Sequence, residues 1–225
     1  MNNGTGNLIK IVAFVLFLLG IFALVLFGFS KIKYDEFHKA AVMIILDSSA
    51  SNTKELPMQI KAVRTLCSML DPDDEVKILR VSESSYLIYE GSPQSASEIR
   101  KSLDKYTQLN SKEFGTALGL SMKKAFTHAI NMHKEGYIPA VVVVGDLENE
   151  GAVKNQIDWN QLPSQVKEVV DKTGNFSMMF LYAAPDKLDL VKEKLTPVLG
   201  ENKLIIGTDT VANKSMAKFL HAIGR

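Results

Sequence analysis

Cysteine is almost absent from this sequence, since Cys67 is the only one among 225 residues. A single thiol excludes a disulfide within the chain and says little about the compartment in which the protein works. Cys67 lies on the apolar stripe of a predicted helix, where a small buried core residue is expected rather than a nucleophile.

An excess of one charge is also missing. The 26 basic and 25 acidic residues leave a formal net charge of +1, and the two signs are interspersed along the chain. Nucleic-acid-binding proteins usually concentrate basic residues on one face, so no nucleic-acid partner is predicted. The sequence contains no internal repeat and no low-complexity segment.

Motifs that mark nucleotide or hydrolytic chemistry are absent as well. No Gly-x-x-x-x-Gly-Lys-Ser/Thr loop occurs, and the segment from Gly115 to Gly119 does not fit a dinucleotide fingerprint, so no nucleotide is expected. No serine belongs to a recognisable motif with a histidine and an acid. His128 and His133 are not spaced to place two metal ligands on one helical face, and surface histidines are expected there.

A long apolar run lies close to the amino terminus. Residues 11–29 are unbroken by any charge, and the run approaches the roughly 20 residues with which a helix crosses a bilayer. We therefore predict a polar tail over 1–10, a single transmembrane helix over 11–30 and a juxtamembrane linker over 31–39. A cleaved signal peptide is the alternative, but its apolar core is usually about 7 to 15 residues long and ends in small residues before the cleavage site.

The side of the membrane on which the remaining chain lies is less well defined. Lysines flank both ends of the apolar run, one on the amino side and three on the carboxyl side (Lys10; Lys31, Lys33, Lys39). The positive-inside rule counts lysines near the ends of a span and gives little weight to acids. The sequence therefore favours a cytoplasmic carboxyl domain by a small margin and leaves the topology open.

Residues 40–225 alternate strand-like apolar runs with segments of helical period, which predicts an α/β domain with a doubly wound, mostly parallel sheet. Only four polar residues separate the second and third predicted strands. That connection is too short for a crossover helix, so the third strand is expected to be an antiparallel edge strand. The predicted strands are 41–46, 75–81, 86–89, 138–145, 176–183 and 204–206, and the predicted helices are 53–70, 95–106, 115–130, 162–170, 186–199 and a last one through Ile223.

Polar residues follow two of these strands and open one of the helices. The first strand runs into Asp47-Ser48-Ser49-Ala50-Ser51, in which residues two apart share a side and can direct a carboxylate and two hydroxyls at one point. Thr116 opens the third helix, and Asp146 follows the valine-rich strand. If the first and the valine-rich strands are neighbours where the strand order reverses, the three loops meet in one crevice.

The side chains in these three loops favour one class of ligand. Two carboxylates and three hydroxyls are hard oxygen donors, with no thiolate or imidazole among them, which favours Mg²⁺ (or Mn²⁺) over zinc or copper. Mg²⁺ keeps several waters and leaves coordination positions open. A carboxylate from a protein partner can fill such a position. The five candidate metal ligands are Asp47, Ser49, Ser51, Thr116 and Asp146.

With these residues, the segment from about 40 to 223 resembles a von Willebrand factor type A domain. The metal-ion-dependent adhesion site of that family has an Asp-x-Ser-x-Ser loop, a threonine on a second loop and an aspartate on a third, matched here by the five candidate ligands. Two departures are visible: Ser48 stands where the family often has glycine, and Asp146 is followed by Leu147 where many members have glycine. The resemblance implies a Rossmann-like fold and cation-dependent binding of an acidic partner.

Each candidate ligand also has an ordinary structural interpretation. Asp47, Ser49, Ser51 or Thr116 could cap a helix, and Asp146 could be a turn residue. Their occurrence together, at these positions of an alternating fold, favours a metal site. Glu148 and Glu150 follow Asp146 closely enough to line the edge of the site, although an exposed acidic loop is equally compatible with the sequence.

The function expected from the sequence is that of a membrane-anchored binding module, not an enzyme. It would use its cation to dock an acidic residue of a protein partner within a membrane-associated complex. One alternative is a magnesium-dependent hydrolase in which Asp47 and Asp146 hold the ion that activates water, although no general base is visible. Another is a scaffold whose metal site is vestigial.

Overall fold

The computed structural model describes residues 39–49, 52, 54–106, 115–148, 152–208 and 212–225, together with Leu19 and Phe22. Contacts divide the chain into two units, Met1–Phe37 and His38–Arg225. In the first unit Leu19 and Phe22 are helical and exposed, and the remainder of the predicted tail, transmembrane helix and linker up to residue 38 lies outside the described residues. No helix among the described residues combines the length and the apolar character that crossing a membrane requires.

The described residues of the second unit form an alternating α/β arrangement that confirms the predicted order of elements. The first and last residues of several elements differ by a few positions from those predicted, and one short 3₁₀ turn at Val153–Asn155 was not predicted. The strands are β1 Ala40–Asp47, β2 Glu75–Val81, β3 Ser85–Gly91, β4 Ile138–Val144, β5 Ser177–Leu181 and β6 Leu204–Gly207. The helices are α1 Leu56–Met69, α2 Ala96–Tyr106, α3 Leu118–Lys134, α4 Leu162–Thr173, α5 Pro185–Leu199 and α6 Ala212–Ala222.

The six strands form one sheet in the order β3-β2-β1-β4-β5-β6. Among the described strands only β3 is antiparallel, and it lies at one side of the sheet beside β2, as the short connection between the two strands predicts. β1 pairs in parallel with both β2 and β4, so the first strand lies in the middle of the sheet and the strand order reverses there. The predicted doubly wound sheet and its antiparallel edge strand are confirmed.

Helices cover both faces of this sheet, and β1 is buried along its whole length. Its alternate side chains contribute to two separate apolar clusters: Val42 and Ile44 pack with α1, α2 and α6, and Met43 and Ile45 pack with α3, α4 and α5. Burying one large aliphatic side chain contributes about 1.5 to 3 kcal/mol. Two such clusters hold β1 from both sides, so the polar residues that follow it start from a fixed position.

The single thiol lies in the first of these clusters. Cys67 is 2% exposed, and burial raises the pKa of its thiol to about 12. A thiol with such a pKa stays protonated at neutral pH and is a poor nucleophile. The expectation that Cys67 is a core residue is confirmed.

The carboxyl terminus of the chain is attached to the amino edge of the sheet. Asp74, in the loop before β2, accepts a hydrogen bond from the backbone N–H of Ala40 at 2.7 Å. The same carboxylate accepts hydrogen bonds from the guanidinium of Arg225, the last residue, through Nε at 3.1 Å and also through Nη2. Asp74 therefore joins the start of β1 to the end of the chain, at the edge of the sheet opposite the polar loops.

Candidate metal site at the carboxyl edge of the sheet

The first polar loop is folded around the carboxylate of Asp47. This residue ends β1 and is wholly buried, and its Oδ1 accepts a hydrogen bond of 2.8 Å from the backbone N–H of Ser49. Ser49 is also wholly buried. A buried carboxylate is unfavourable unless hydrogen bonds or a cation compensate its charge, so the loop conformation already contributes part of that compensation. Ser51, the third candidate ligand of the loop, lies outside the described residues.

A buried pair of amide side chains attaches this loop to helix α1. The Nδ2 of Asn52 donates to Gln59 Oε1 at 2.8 Å, and the Nε2 of Gln59 donates to Asn52 Oδ1 at 2.7 Å. Asn52 Nδ2 also donates to the backbone carbonyl of Asp47 at 2.9 Å. The two residues are 2% and 0% exposed. The sequence interpretation missed this pair, although Gln59 is a polar residue on the apolar side of α1, three residues after Leu56.

Ser48, one of the two departures from the resembled family, attaches the loop to β2. Its Oγ donates to the carbonyl of Val81 at 3.0 Å and accepts from the Nε of Arg80 at 2.9 Å. The guanidinium carbon of Arg80 lies 5.7 Å from the centre of the Tyr86 ring, a cation–π contact. A glycine at position 48 would form neither hydroxyl bond, so this chain supports the loop through a side chain.

Thr116 lies in a second loop, which is bonded to the end of β2. The backbone N–H of Ala117 donates to the carbonyl of Ser82 at 2.7 Å. The end of β2, where Val81 binds Ser48, therefore also holds the residue after Thr116. Ala117 occupies the N-cap position of α3, and no side chain among the described residues forms a capping hydrogen bond there. The alternative interpretation, in which Thr116 caps the helix, is therefore wrong.

The hydroxyl of Thr116 is buried without compensation from the described residues. Thr116 is 1% exposed, and none of those residues forms a hydrogen bond with its Oγ1. Leaving a buried hydroxyl unpaired costs about 1 to 3 kcal/mol. A cation, or a water molecule bound to one, would provide the missing interaction.

The third loop touches Asp47 directly. A Cβ added to Gly145 would lie 2.4 Å from the Cβ of Asp47, closer than any side-chain atom can approach, so only glycine fits there. Asp146 follows and is half-buried; its Oδ1 accepts from the backbone N–H of Glu148 at 2.9 Å. The carbonyl of Asp146 accepts from the backbone N–H of Ala184 at 3.0 Å, which holds the loop against the start of α5.

Leu147, the second departure from the resembled family, keeps a glycine-like backbone. Its φ angle is +65°, in the left-handed region, which costs a residue with a side chain about 1 to 2 kcal/mol. The Leu147 side chain is 1% exposed and packs in the cluster on the α3 side of the sheet. Burial therefore offsets the backbone strain, and the loop retains its turn after Asp146 without glycine.

The structure places four of the five candidate ligands at the carboxyl edge of β1 and its neighbours: Asp47, Ser49, Thr116 and Asp146. Glu148 and Glu150 were expected at the edge of the site. The Oε2 of Glu148 lies 3.4 Å from the Nζ of Lys187, an ion pair, and Glu150 lies outside the described residues. The described part of the chain contains no group of three or more His, Cys, Asp or Glu side chains suited to a metal. A set of two carboxylates with hydroxyls fits a hard cation, not a zinc centre of imidazoles or thiolates.

The histidines of α3 differ from expectation, because both are half-buried instead of exposed. His128 Nδ1 lies 3.3 Å from the Nζ of Lys77 on β2. Burial, together with the charge of Lys77, lowers the pKa of His128 to about 4. The side chain is therefore neutral at pH 7 and is packed between α3 and the sheet.

Comparison with known proteins gives matches at the level of structure. No family profile matches the sequence, and no curated protein is similar to it in sequence. Similar solved structures include a von Willebrand factor type A protein from Catenulispora acidiphila, with 15% identity and a TM-score of 0.55, aligned over 83% of this chain and 43% of that one. The conserved hypothetical protein BatB from Bacteroides thetaiotaomicron has 14% identity and a TM-score of 0.58, over 83% of this chain and all of that one.

A third similar structure is proximal thread matrix protein 1 from the mussel byssus with a zinc-occupied MIDAS motif. It has 14% identity and a TM-score of 0.56, aligned over 83% of this chain and 46% of that one. This chain therefore spans less than half the length of the first and third of these proteins. At such identities the likeness concerns the fold alone.

Proposed function

Since the described unit has the fold of von Willebrand factor type A domains, we propose that the chain is a membrane-anchored binding module. It docks an acidic residue of a protein partner through a divalent cation, within a membrane-associated complex. The observation that carries this proposal is the buried hydroxyl of Thr116, which forms no hydrogen bond with any described residue, at the edge where Asp47 ends β1. Two polar groups excluded from water at one sheet edge are suited to a shared cationic ligand.

The residues that would hold the ion are Asp47, Ser49, Ser51, Thr116 and Asp146. Their oxygen donors favour Mg²⁺ or Mn²⁺. When bound, the cation supplies an electrophilic position that the carboxylate of a partner can occupy. The protein itself contributes a loop held in advance by the Asn52–Gln59 pair and by Ser48, so little conformational entropy is lost when a ligand binds.

The membrane part of the proposal comes from the sequence. Residues 11–30 would anchor the chain as a single span, and the lysines after the span favour a cytoplasmic domain. A reporter fused to the carboxyl terminus tests this arrangement: alkaline phosphatase, active only outside the cytoplasm, should be inactive, and a fluorescent protein should fold and emit. Active phosphatase would place the domain on the other side, and release of the chain by carbonate washing would contradict the anchor.

The metal site is tested by calorimetric titration of the detergent-solubilised full chain with MgCl₂ and MnCl₂. Asp47→Asn preserves the shape of the side chain and can still accept the hydrogen bond from Ser49, but removes its charge, so binding should be abolished. Asp189→Asn is the matched control, because that carboxylate is 88% exposed and its removal should leave binding unchanged. Equal heats for the wild type and Asp47→Asn would contradict the proposal.

The same preparation distinguishes the alternative functions. Phosphoester turnover that disappears in Asp146→Ala would favour a magnesium-dependent hydrolase. Absence of metal binding in every variant, with the partner retained after chelation, would favour a scaffold with a vestigial site. The proposed function requires that a co-purifying protein is lost from the wild type when EDTA is added.

A further inference from the structure

β6 is the edge strand on the side of the sheet opposite β3. None of the described strands pairs with its outer side. On the inner side, the N–H of Met178 donates to the carbonyl of Lys203 at 2.9 Å and that of Tyr182 donates to the carbonyl of Gly207 at 3.2 Å. Peptide groups alternate in direction along a strand, so those of Leu204 and Ile206 point away from β5. The carbonyl of Ile206 accepts from Ser215 Oγ at 3.1 Å. The Ile206 N–H and the Leu204 carbonyl are thus left at the outer edge.

A groove of about 760 Å³ runs along this edge, between β6 and helix α6. Lys214, Lys218 and His221 line it from α6, at helical spacings of four and three residues, which place them on one side of the helix. All three are exposed. No ion pair joins Lys214 or Lys218 to an acidic side chain in the described part of the chain, which leaves both charges available to a ligand.

The remaining lining residues make the groove basic and partly apolar. Lys203 contributes a third lysine, whose Nζ donates to Asn175 Oδ1 at 2.7 Å, and Glu201 is the one acidic side chain among the described lining residues. Leu204, Ile206 and Ala217 supply apolar surface. Because the whole chain has a net charge of only +1, three lysines against one glutamate form a local concentration of positive charge.

We propose that this groove binds an extended, acidic segment of a protein partner, which joins the sheet beside β6 as a seventh strand. The Ile206 N–H and the Leu204 carbonyl would form backbone hydrogen bonds with that segment, and the lysines of α6 would pair with its acidic side chains. Strand addition at an open sheet edge is an established mode of peptide binding. The charges give the preference for acidic sequences.

A second copy of the chain fits the groove less well. Pairing of β6 with β6 of another molecule about a twofold axis would bring two sets of lysines together along the new interface. Like charges placed opposite one another destabilise an association. The groove lies beside β6 and uses none of the candidate metal ligands, so this binding is independent of the proposed cation.

The test uses the full chain in detergent with EDTA present, so that the cation plays no part. The probe is a fluorescein-labelled eight-residue peptide of alternating valine and glutamate, and fluorescence anisotropy reports its binding. Lys214→Glu combined with Lys218→Glu should weaken binding by about tenfold or more, since two favourable charge pairs become repulsive. Lys101→Glu combined with Lys105→Glu is the matched control, with two exposed lysines four residues apart on α2, and should leave binding unchanged.

Two further measurements separate strand addition from simple attraction of charge. The same peptide with N-methyl groups on alternate residues keeps its charges but cannot donate those backbone hydrogen bonds, and it should not bind. Hydrogen exchange of the Ile206 amide should slow when the unmodified peptide is present. Thermal unfolding of the double variant checks that the fold is retained.

Several outcomes would overturn the proposal. Failure of the valine–glutamate peptide to bind, or equal binding of the N-methylated peptide or of a valine–lysine peptide, would exclude an acidic seventh strand. Lysine-dependent binding of phosphatidylserine vesicles without peptide binding would assign the groove to a lipid surface instead. Because EDTA is present throughout, none of these results depends on the proposed metal site.

Discussion

At the scale of single residues, the carboxyl edge of β1 carries polar groups that the fold itself satisfies only in part. Asp47 is held by the N–H of Ser49, and Ser48 is bonded on both sides, whereas the hydroxyl of Thr116 has no hydrogen bond from the described residues. A fully buried polar atom without a partner is unusual in a native protein and points to a ligand or water. Substitutions of these residues should change the free energy of unfolding and the affinity for Mg²⁺ by different amounts.

Thr116→Val should have opposite effects on stability and on metal binding. Valine has almost the same shape and removes a buried hydroxyl that no described residue hydrogen-bonds, so the metal-free protein should keep its free energy of unfolding or gain up to about 1 kcal/mol. Binding of Mg²⁺ should weaken by about tenfold or more. Urea unfolding and calorimetric titration measure the two quantities.

Thr173→Val is the control for this substitution. Its buried hydroxyl donates to the carbonyl of Val169 at 2.8 Å on α4, so removing it should reduce stability without changing Mg²⁺ binding. A loss of stability in Thr116→Val with unchanged binding would show that the hydroxyl has a structural role only.

Gly145→Ala should disrupt the site through a steric clash. The new methyl group would meet the Cβ of Asp47, so the loop after β4 or the end of β1 has to move, and we expect a loss of about 2 kcal/mol or more in unfolding free energy together with loss of Mg²⁺ binding. Gly174→Ala is the control, since φ there is +66° but, apart from its two chain neighbours, no described residue has a heavy atom within 4 Å of the added carbon. That variant should lose about 1 kcal/mol and bind normally. Normal binding by Gly145→Ala would contradict the proximity of this loop to the site.

His128 should make stability depend on pH in the acid range. Its pKa is about 4 in the folded protein, through burial and the nearby Lys77, against about 6.5 when unfolded. Between these values the unfolded chain binds a proton that the folded chain does not, so stability should fall as pH decreases from 6.5 to 4. The half-buried ring retains contact with solvent, which reduces the expected loss to about 1 to 2 kcal/mol.

His128→Gln tests this assignment, because glutamine does not titrate. Urea unfolding at several pH values should show a shallower decline below pH 6.5 for the variant than for the wild type. His133→Gln serves as the control on the same helix. Parallel curves for the wild type and His128→Gln would mean that other groups cause the decline.

At the scale of elements, the site depends on attachments between a loop and the helix or strand beside it. Helix α1 holds the first loop through Gln59, and the first turn of α3 packs on the segment after the third loop so closely that a Cβ at Gly119 would lie 1.9 Å from the carbonyl oxygen of Gln156. The loops at this edge are thus positioned by two helices on opposite faces of the sheet.

Gln59→Leu should uncouple the first loop from α1. The leucine fits the apolar side of the helix, but the amide of Asn52 loses both hydrogen bonds to Gln59, which should reduce the unfolding free energy by about 2 kcal/mol. Mg²⁺ binding should weaken too, since the carbonyl of Asp47 is held by the same amide. Gln165→Leu on α4 is the control and should leave binding unchanged. Unaltered metal affinity in Gln59→Leu would show that the pair stabilises the fold without positioning the site.

At the scale of the whole molecule, the proposed ion should stabilise the folded domain. A ligand that binds only the folded state at 100 times its dissociation constant raises the free energy of unfolding by about 2.7 kcal/mol. We therefore expect thermal unfolding of the full chain to shift upward with MgCl₂ and to return on chelation. Asp47→Asn should show no shift, and NaCl at matched ionic strength provides the control. An equal shift in Asp47→Asn would assign the effect to another site.

The order of elements could be predicted from the sequence because the buried residues of strands and helices recur at characteristic spacings. Apolar residues at strand and helix spacings identified the alternation, and the short connection before β3 required an antiparallel edge strand. The candidate site followed from Asp47, Thr116 and Asp146 at the ends of these elements, since the carboxyl ends of parallel strands share one edge. The predicted membrane span has the same origin, an apolar run of the right length.

Tertiary structure alone decided how these residues are supported. The pairs Asn52–Gln59 and Arg80–Ser48, and the attachment of Arg225 to Asp74, join polar groups whose spacing in the sequence has no period. Whether such groups meet depends on strand register and on the direction in which each side chain leaves its element, and both are set by packing of the whole core. Apolar burial acts on each element separately and is therefore visible in the sequence, whereas a hydrogen bond requires two particular atoms at one distance, which only the assembled fold provides.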